Sequence, residues 1–148
     1  MKIVSLSLAS ILLCALIPAG CSGTPATSSV SGLANNELVQ SIMKQVGTSA
    51  SQAVGGSGAL LNLAQTKLPA ANAAQLSNAV PGMNQIVEQS KSLGGFSGNL
   101  NSFADAKAVM SKLGMSSSQV SQMPQAVAGY VESKAGPDVA GLLQNIWR

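Results

Sequence analysis

Residues 42–78 read IMKQVGTSASQAVGGSGALLNLAQTKLPAANAAQLSN, and residues 109–145 read VMSKLGMSSSQVSQMPQAVAGYVESKAGPDVAGLLQN. At a shift of 67 residues they align without a gap, and ten of the 37 positions are identical. The punctuation coincides as well. Apolar stripes ending at Met43–Val46 and Met110–Leu113 each run into a glycine, Gly47 and Gly114, the residue that ends helices in a left-handed turn. A serine follows in each, Ser49 and Ser116, and Ser116 with Gln119 spells a capping box. Leu76 and Leu143 match further along. The expected architecture is a duplication of a three-helix unit, the halves joined through residues 83–101. Shared cap grammar in a chain rich in Ala, Ser and Gln is the alternative source of the identities.

Working outward, caps and apolar period place the helices. Asn35 or Asn36 caps a helix with the stripe Leu38, Val39, Ile42, Met43 and Val46. Thr48 or Ser49 caps a second, running to about Lys67. Pro69 opens a third, ended by Pro81-Gly82, and residues 83–90 form a fourth. Residues 93–100 carry Gly94, Gly95 and Gly98 and read as a loop. Asn101 or Ser102 caps a helix bearing Phe103, Ala106, Val109 and Met110. The capping box at Ser116 starts a helix interrupted near Pro124, and Gly136-Pro137-Asp138 opens the last. Runs of alternating β-branched and aromatic residues are absent, so strands are not expected. The fold class is all-α, a small bundle of about six to seven short helices in two pseudo-symmetric halves.

The N-terminus differs in kind. Lys2 precedes an almost wholly apolar run over residues 3–17, shorter than the roughly 20 residues that span a bilayer. Pro18, Ala19 and Gly20 follow, then Cys21. Residues 1–20 read as a signal peptide, and the segment Ile17-Pro18-Ala19-Gly20-Cys21 resembles a bacterial lipobox, which implies acylation at Cys21. Pro18 stands where that motif usually has Leu. An ordinary secretory signal cut near Cys21 is the alternative. Cys14 lies in the apolar run, so Cys21 is the only cysteine after cleavage and has no partner for a disulfide. Ser22, by resemblance to enterobacterial lipoproteins, points to the periplasmic face of the outer membrane, and a soluble periplasmic or secreted protein is the alternative. Residues 22–34, SGTPATSSVSGLA, read as a flexible tether of roughly 20 Å. The domain proper is expected over residues 35–148.

Little in the composition points to catalysis. There is no His. Glu37, Glu88, Asp105, Glu132 and Asp138 are scattered, and no two share a helix face at a spacing of three or four, so no carboxylate pair is expected. Catalytic residues, metal ligands and cofactors are all expected to be absent. Gly55-Gly56-Ser57-Gly58 lacks the Gly-Lys-[Ser/Thr] ending of a phosphate loop and reads instead as a close helix contact. Of eight Lys and Arg, seven remain without Lys2, against five acids. They form no basic stripe, so nucleic-acid binding is not expected.

Glu37-Leu38-Val39, the Gly55–Leu60 run, Ala79-Val80-Pro81-Gly82, Lys112-Leu113-Gly114-Met115-Ser116 and Tyr130–Lys134 together resemble the bacterial VcgC/VcgE-type domain of unknown function, from about Glu37 to Trp147. Pro69 departs from the Ser or Thr cap expected there. The resemblance implies a helical domain, often in exported proteins, and brings no catalytic residues. The functional expectation is a non-enzymatic module, tethered to the membrane through Cys21, that binds a protein or envelope partner. The alternative is a carrier of a small apolar ligand or lipid between the two halves.

Overall fold

A computed structural model describes residues 26–148 of the chain. The expected signal peptide and Cys21 lie outside the described residues. Eight helices follow one another: α1 (Ala26–Leu33), α2 (Glu37–Val46), α3 (Ala50–Lys67), α4 (Ala70–Ala79), α5 (Met83–Gly94), α6 (Phe103–Lys112), α7 (Ser117–Ala135) and α8 (Pro137–Ile146). Among the described residues there is no strand, and no helix is long and apolar enough to cross a membrane.

The axis of the bundle is α3. Every residue from Ala53 to Ala64 is buried. A helix buried on all sides needs neighbours all round, and α1, α2, α5, α6, α7 and α8 all pack against it. Its sequence permits this because small residues let backbones approach and the apolar residues Leu60, Leu61 and Leu63 fill what remains. Around it Leu38, Ile42, Leu76, Ile86, Met110, Met123 and Leu143 are fully buried. Each such side chain contributes about 1.5–3 kcal/mol relative to exposure.

The two repeats coincide in register. Shifted by 67, α3 begins where α7 begins, and α4 maps onto α8 end to end. Gly47 and Gly114 both take left-handed backbone, at φ 69° and 75°. Ser49 with Gln52, and Ser116 with Gln119, both form complete capping boxes. The units also exchange bonds. The Gln52 amide accepts from Ser49 N–H through Oε1 and donates through Nε2 to the carbonyls of Leu113 and Gly114, both at 3.2 Å. Gln119 does the reciprocal, accepting from Ser116 N–H and donating to the Gly47 carbonyl at 3.0 Å. Each capping glutamine thus satisfies carbonyls at the helix end of the opposite unit, groups a helix leaves unpaired. Packing follows the same exchange: α3 lies on α6, and α2 lies on α7.

The third helices diverge. α8 folds back along α7, whereas α4 leaves α3 and packs against α7 and α8. The connections explain it. Leu68 precedes a proline and is held extended, and Pro69 is extended too, at ψ 145° and 149°, which swings the chain outward. Gly136, at φ 89°, permits the reversal that brings α8 back.

Three expectations need correction. The tether does not run to Ala34, because α1 spans Ala26–Leu33 and buries Val30 and Leu33 in the core. Those two apolar residues, three apart, make a short stripe inside a composition that otherwise reads as linker. The helix containing Pro124 is not interrupted: α7 runs unbroken from Ser117 to Ala135. Proline removes one backbone donor, while buried Met123, Ala126 and Val127 anchor the helix around it. The fourth helix continues past Ser90 to Gly94, where Gly95 at φ 61° closes it.

Candidate functional site

The glycine run of α3 is a helix contact, as its composition implies. A Cβ on Gly58 would strike the Ser90 Cβ and come within 2.6 Å of the Ile86 carbonyl oxygen. One on Gly55 would strike Leu113. One on Gly56 would meet Met123 Cε at 2.7 Å and Met115 Sδ at 3.3 Å. Ser90, fully buried on α5, donates from Oγ to the Gly55 carbonyl at 2.7 Å. Buried Ser57 donates to the Ala53 carbonyl at 2.6 Å within its own helix. Asn62, 1% exposed, accepts the Leu100 N–H at 2.7 Å and so ties the 95–101 loop to the helix axis. Every one of these polar groups is spent on structure.

A small polar cluster joins α2 to α7. Lys134 Nζ lies 3.0 Å from Glu37 Oε2, and the Tyr130 hydroxyl donates to the same oxygen at 3.3 Å. The hydrogen bond from Lys134, then its charge, then the bond from Tyr130, hold the Glu37 carboxyl below its usual range. The Lys134 ammonium is raised by the same hydrogen bond and charge. Burial, then the Glu37 charge, pushes the Tyr130 hydroxyl up. Both charged partners face solvent, so the pair fastens two helices weakly.

The candidate site is a groove of about 610 Å³ on the outer side of α7. Phe103 and Lys107 of α6 form one lip, the Lys107 ammonium resting 4.6 Å from the Phe103 ring centre. Ser121, Pro124, Gln125, Gly129 and Glu132 of α7 run along it. Gln144 of α8, with Trp147 and Arg148 after it, closes the far side. Trp147 is 4% exposed, and its indole N–H is buried without an acceptor. Nothing lies within 4 Å of a Cβ built on Gly129. The groove therefore offers apolar rings, amide and hydroxyl groups, and charges of both signs at its edges.

The acids that the sequence scatters stay apart. Glu88 pairs with Lys91 at 2.8 Å. Asp105 caps α6 by accepting from Ser102 N–H at 3.1 Å, Glu37 joins Lys134, and Glu132 edges the groove. Among the described residues no three of His, Cys, Asp and Glu gather as a metal site. Sequence reasoning passed over the groove, although its trace is there: Ser121, Gln125, Gly129 and Glu132 make a helical stripe without one large apolar residue.

Fold and surface together define an all-helical domain with a filled core and a polar-edged external groove. The chain belongs to the family described as protein of unknown function VcgC/VcgE (DUF2780), which it matches over residues 18–147. The match begins well before Glu37, in keeping with α1 being part of the domain. No curated protein and no solved structure matches the chain.

Proposed function

We propose that this chain is an exported, non-enzymatic helical module, tethered to a membrane through a lipid on Cys21, that binds a protein or envelope partner on its outer face. The observation that carries the binding half is where space is found. The interface of α3 with α6 and α7 is filled by Met110, Met115 and Met123 around Gly56, which leaves little room there for an apolar ligand between the halves. The open groove lies outside, on α7. Concave surfaces with a few convergent polar groups are where ligands and partners bind. The tether rests on the apolar run and the lipobox-like Ile17–Cys21 segment.

Mass spectrometry of the mature N-terminus tests the tether. An acylated Cys21 is expected, and Cys21→Ala should move the protein to the soluble fraction. A mature chain starting beyond Cys21 would overturn it. Crosslinking of the intact protein in its own envelope, with photoreactive residues placed in turn on each helix face, tests the binding half. A single face that captures one defined species is expected, and no face capturing any would refute it.

A further inference from the structure

Cys21, the anchor of the tether proposed above, is separated from α1 by residues 22–25 alone. The five residue steps from Cys21 to Ala26 span at most about 18 Å in any conformation. A compact domain of this length has a radius of gyration of about 14 Å and is about 35 Å across. Whether the leash is short or long against that width depends on whether α1 belongs to the domain. Val30 and Leu33 are buried in the core, and α1 packs on both α3 and α5. Its end is fastened as well. The Ala34 N–H donates to the Val30 carbonyl and the Asn36 N–H to the Leu33 carbonyl, both at 2.9 Å. Asn36 also donates from Nδ2 to the Pro81 carbonyl at 2.6 Å, just before α5 begins at Met83.

We infer that α1 moors the domain: docked on α3 and α5, it cuts the leash from Cys21 to four residues and turns the α1–α5 side toward the lipid headgroups of the leaflet that holds the acyl chains. This rests on the lipid at Cys21 and goes beyond it, since a lipid on a long leash fixes no orientation. Were α1 part of the leash, the fifteen residue steps from Cys21 to Asn36 would reach about 54 Å, more than the domain's width, and any face could meet the membrane. With α1 docked, the near side is set. Gln85, Glu88 and Ser92 of α5 join Leu33 around a hollow of about 420 Å³ where the two helices meet. Those three α5 residues are exposed, none is apolar, and Glu88 is paired with Lys91 at 2.8 Å. A polar surface of this kind rests at headgroups and does not enter hydrocarbon. With its one carboxylate paired and no basic cluster, it does not select anionic lipid, so the leash itself orients the domain. The other flank belongs to α8, which rests on α3, α4 and α7, and it faces away from the membrane.

Acylation consumes the Cys21 thiol, and Cys14 leaves with the signal peptide, so one introduced cysteine is the only free thiol of the mature lipoprotein. The lipidated protein is placed in phosphatidylcholine vesicles that carry an acceptor dye on the headgroups. A donor dye is attached at Ser92→Cys on α5 or at Gln144→Cys on α8. The α5 label should transfer energy the more strongly, and the α8 label should lie farther out by roughly 15 Å, a large part of the domain's width. An insert of about twelve Gly and Ser residues after Pro25 raises the reach to about 60 Å and should largely erase the difference. Val30→Asp, which puts a carboxylate where α1 meets the core, should erase it too by freeing α1, with helical circular dichroism otherwise kept; the insert decides if that variant does not fold. Equal distances in the parent protein, or a difference that survives the insert, would overturn the mooring. So would a difference that appears only when anionic phospholipid is added, because the face would then be held by charge. Mass spectrometry separates the two readings. An acylated Cys21 with equal distances removes the mooring alone, and an unacylated Cys21 removes the tether and the mooring with it.

Discussion

Gly58 and Gly129 are both helical glycines, and the same substitution at the two should move stability in opposite directions. At Gly58 a methyl group strikes the Ser90 Cβ and lies 2.6 Å from the Ile86 carbonyl oxygen. That oxygen belongs to the backbone of α5 and yields only if the helix moves. Overpacking of this kind costs about 1–3 kcal/mol. A displaced α5 also breaks the bond from Ser90 to the Gly55 carbonyl, and a buried hydroxyl without a partner costs a further 1–3 kcal/mol or so. Alanine's better helix propensity returns about 1 kcal/mol. Gly58→Ala should therefore lose about 3 kcal/mol, against a typical total of about 5–15 kcal/mol. Gly129→Ala meets nothing within 4 Å and should gain about 0.4–1 kcal/mol. Urea unfolding followed by circular dichroism measures both, with unchanged slopes expected. A neutral or stabilising Gly58→Ala would refute the close α3–α5 contact. A destabilising Gly129→Ala would show that the outer face of α7 is not open.

Two further outcomes follow from single bonds. Asn62→Leu deprives the Leu100 N–H of its acceptor in a buried setting and should cost about 1–3 kcal/mol, with faster hydrogen exchange at Leu100 as the specific mark; unchanged exchange there would discount the bond. Glu37 should titrate below the ordinary carboxylate range in a carbon-detected NMR titration, and Lys134→Met should return it toward that range. Because the folded value is the lower one, the pair's contribution is present above the ordinary carboxylate pKa and fades as pH falls through Glu37's own; a Glu37 that titrates the same in both proteins would dismiss the cluster.

The fold was legible where the sequence carries local chemistry with one physical solution. Gly47 and Gly114 stop helices because few residues other than glycine accept their backbone, and Ser116 with Gln119 leaves little choice but a helix start. The glycine run of α3 reads as contact because three glycines inside a helix need a tertiary return. What stayed hidden depends on neighbours. α1 looks like linker until Val30 and Leu33 find α3. Pro124 looks like a break until flanking burial outweighs one lost hydrogen bond. The paths of α4 and α8 turn on single backbone settings at Leu68 and Gly136, which no periodicity reports. The groove was invisible for the same reason. Its lips come from α6, α7 and the residues after α8, and only the outward stripe of α7 leaves a mark in sequence.

The correspondence at a shift of 67 residues marks what the two segments share and where they part. Identities at Gly47/Gly114, Ser49/Ser116 and Gln52/Gln119 sit where the units bind each other, for each glutamine closes its own helix start and the other unit's helix end. Losing either would open two ends at once, so these positions hold the halves as one body. Gly55 and Gly58 have no such duty in the second unit, where Gln122 and Gln125 stand. With the glycines, α3 admits α5 and becomes the buried axis. With the glutamines, α7 keeps one face to solvent. The corresponding helices thus end in different settings, α3 buried on all sides and α7 with one face exposed.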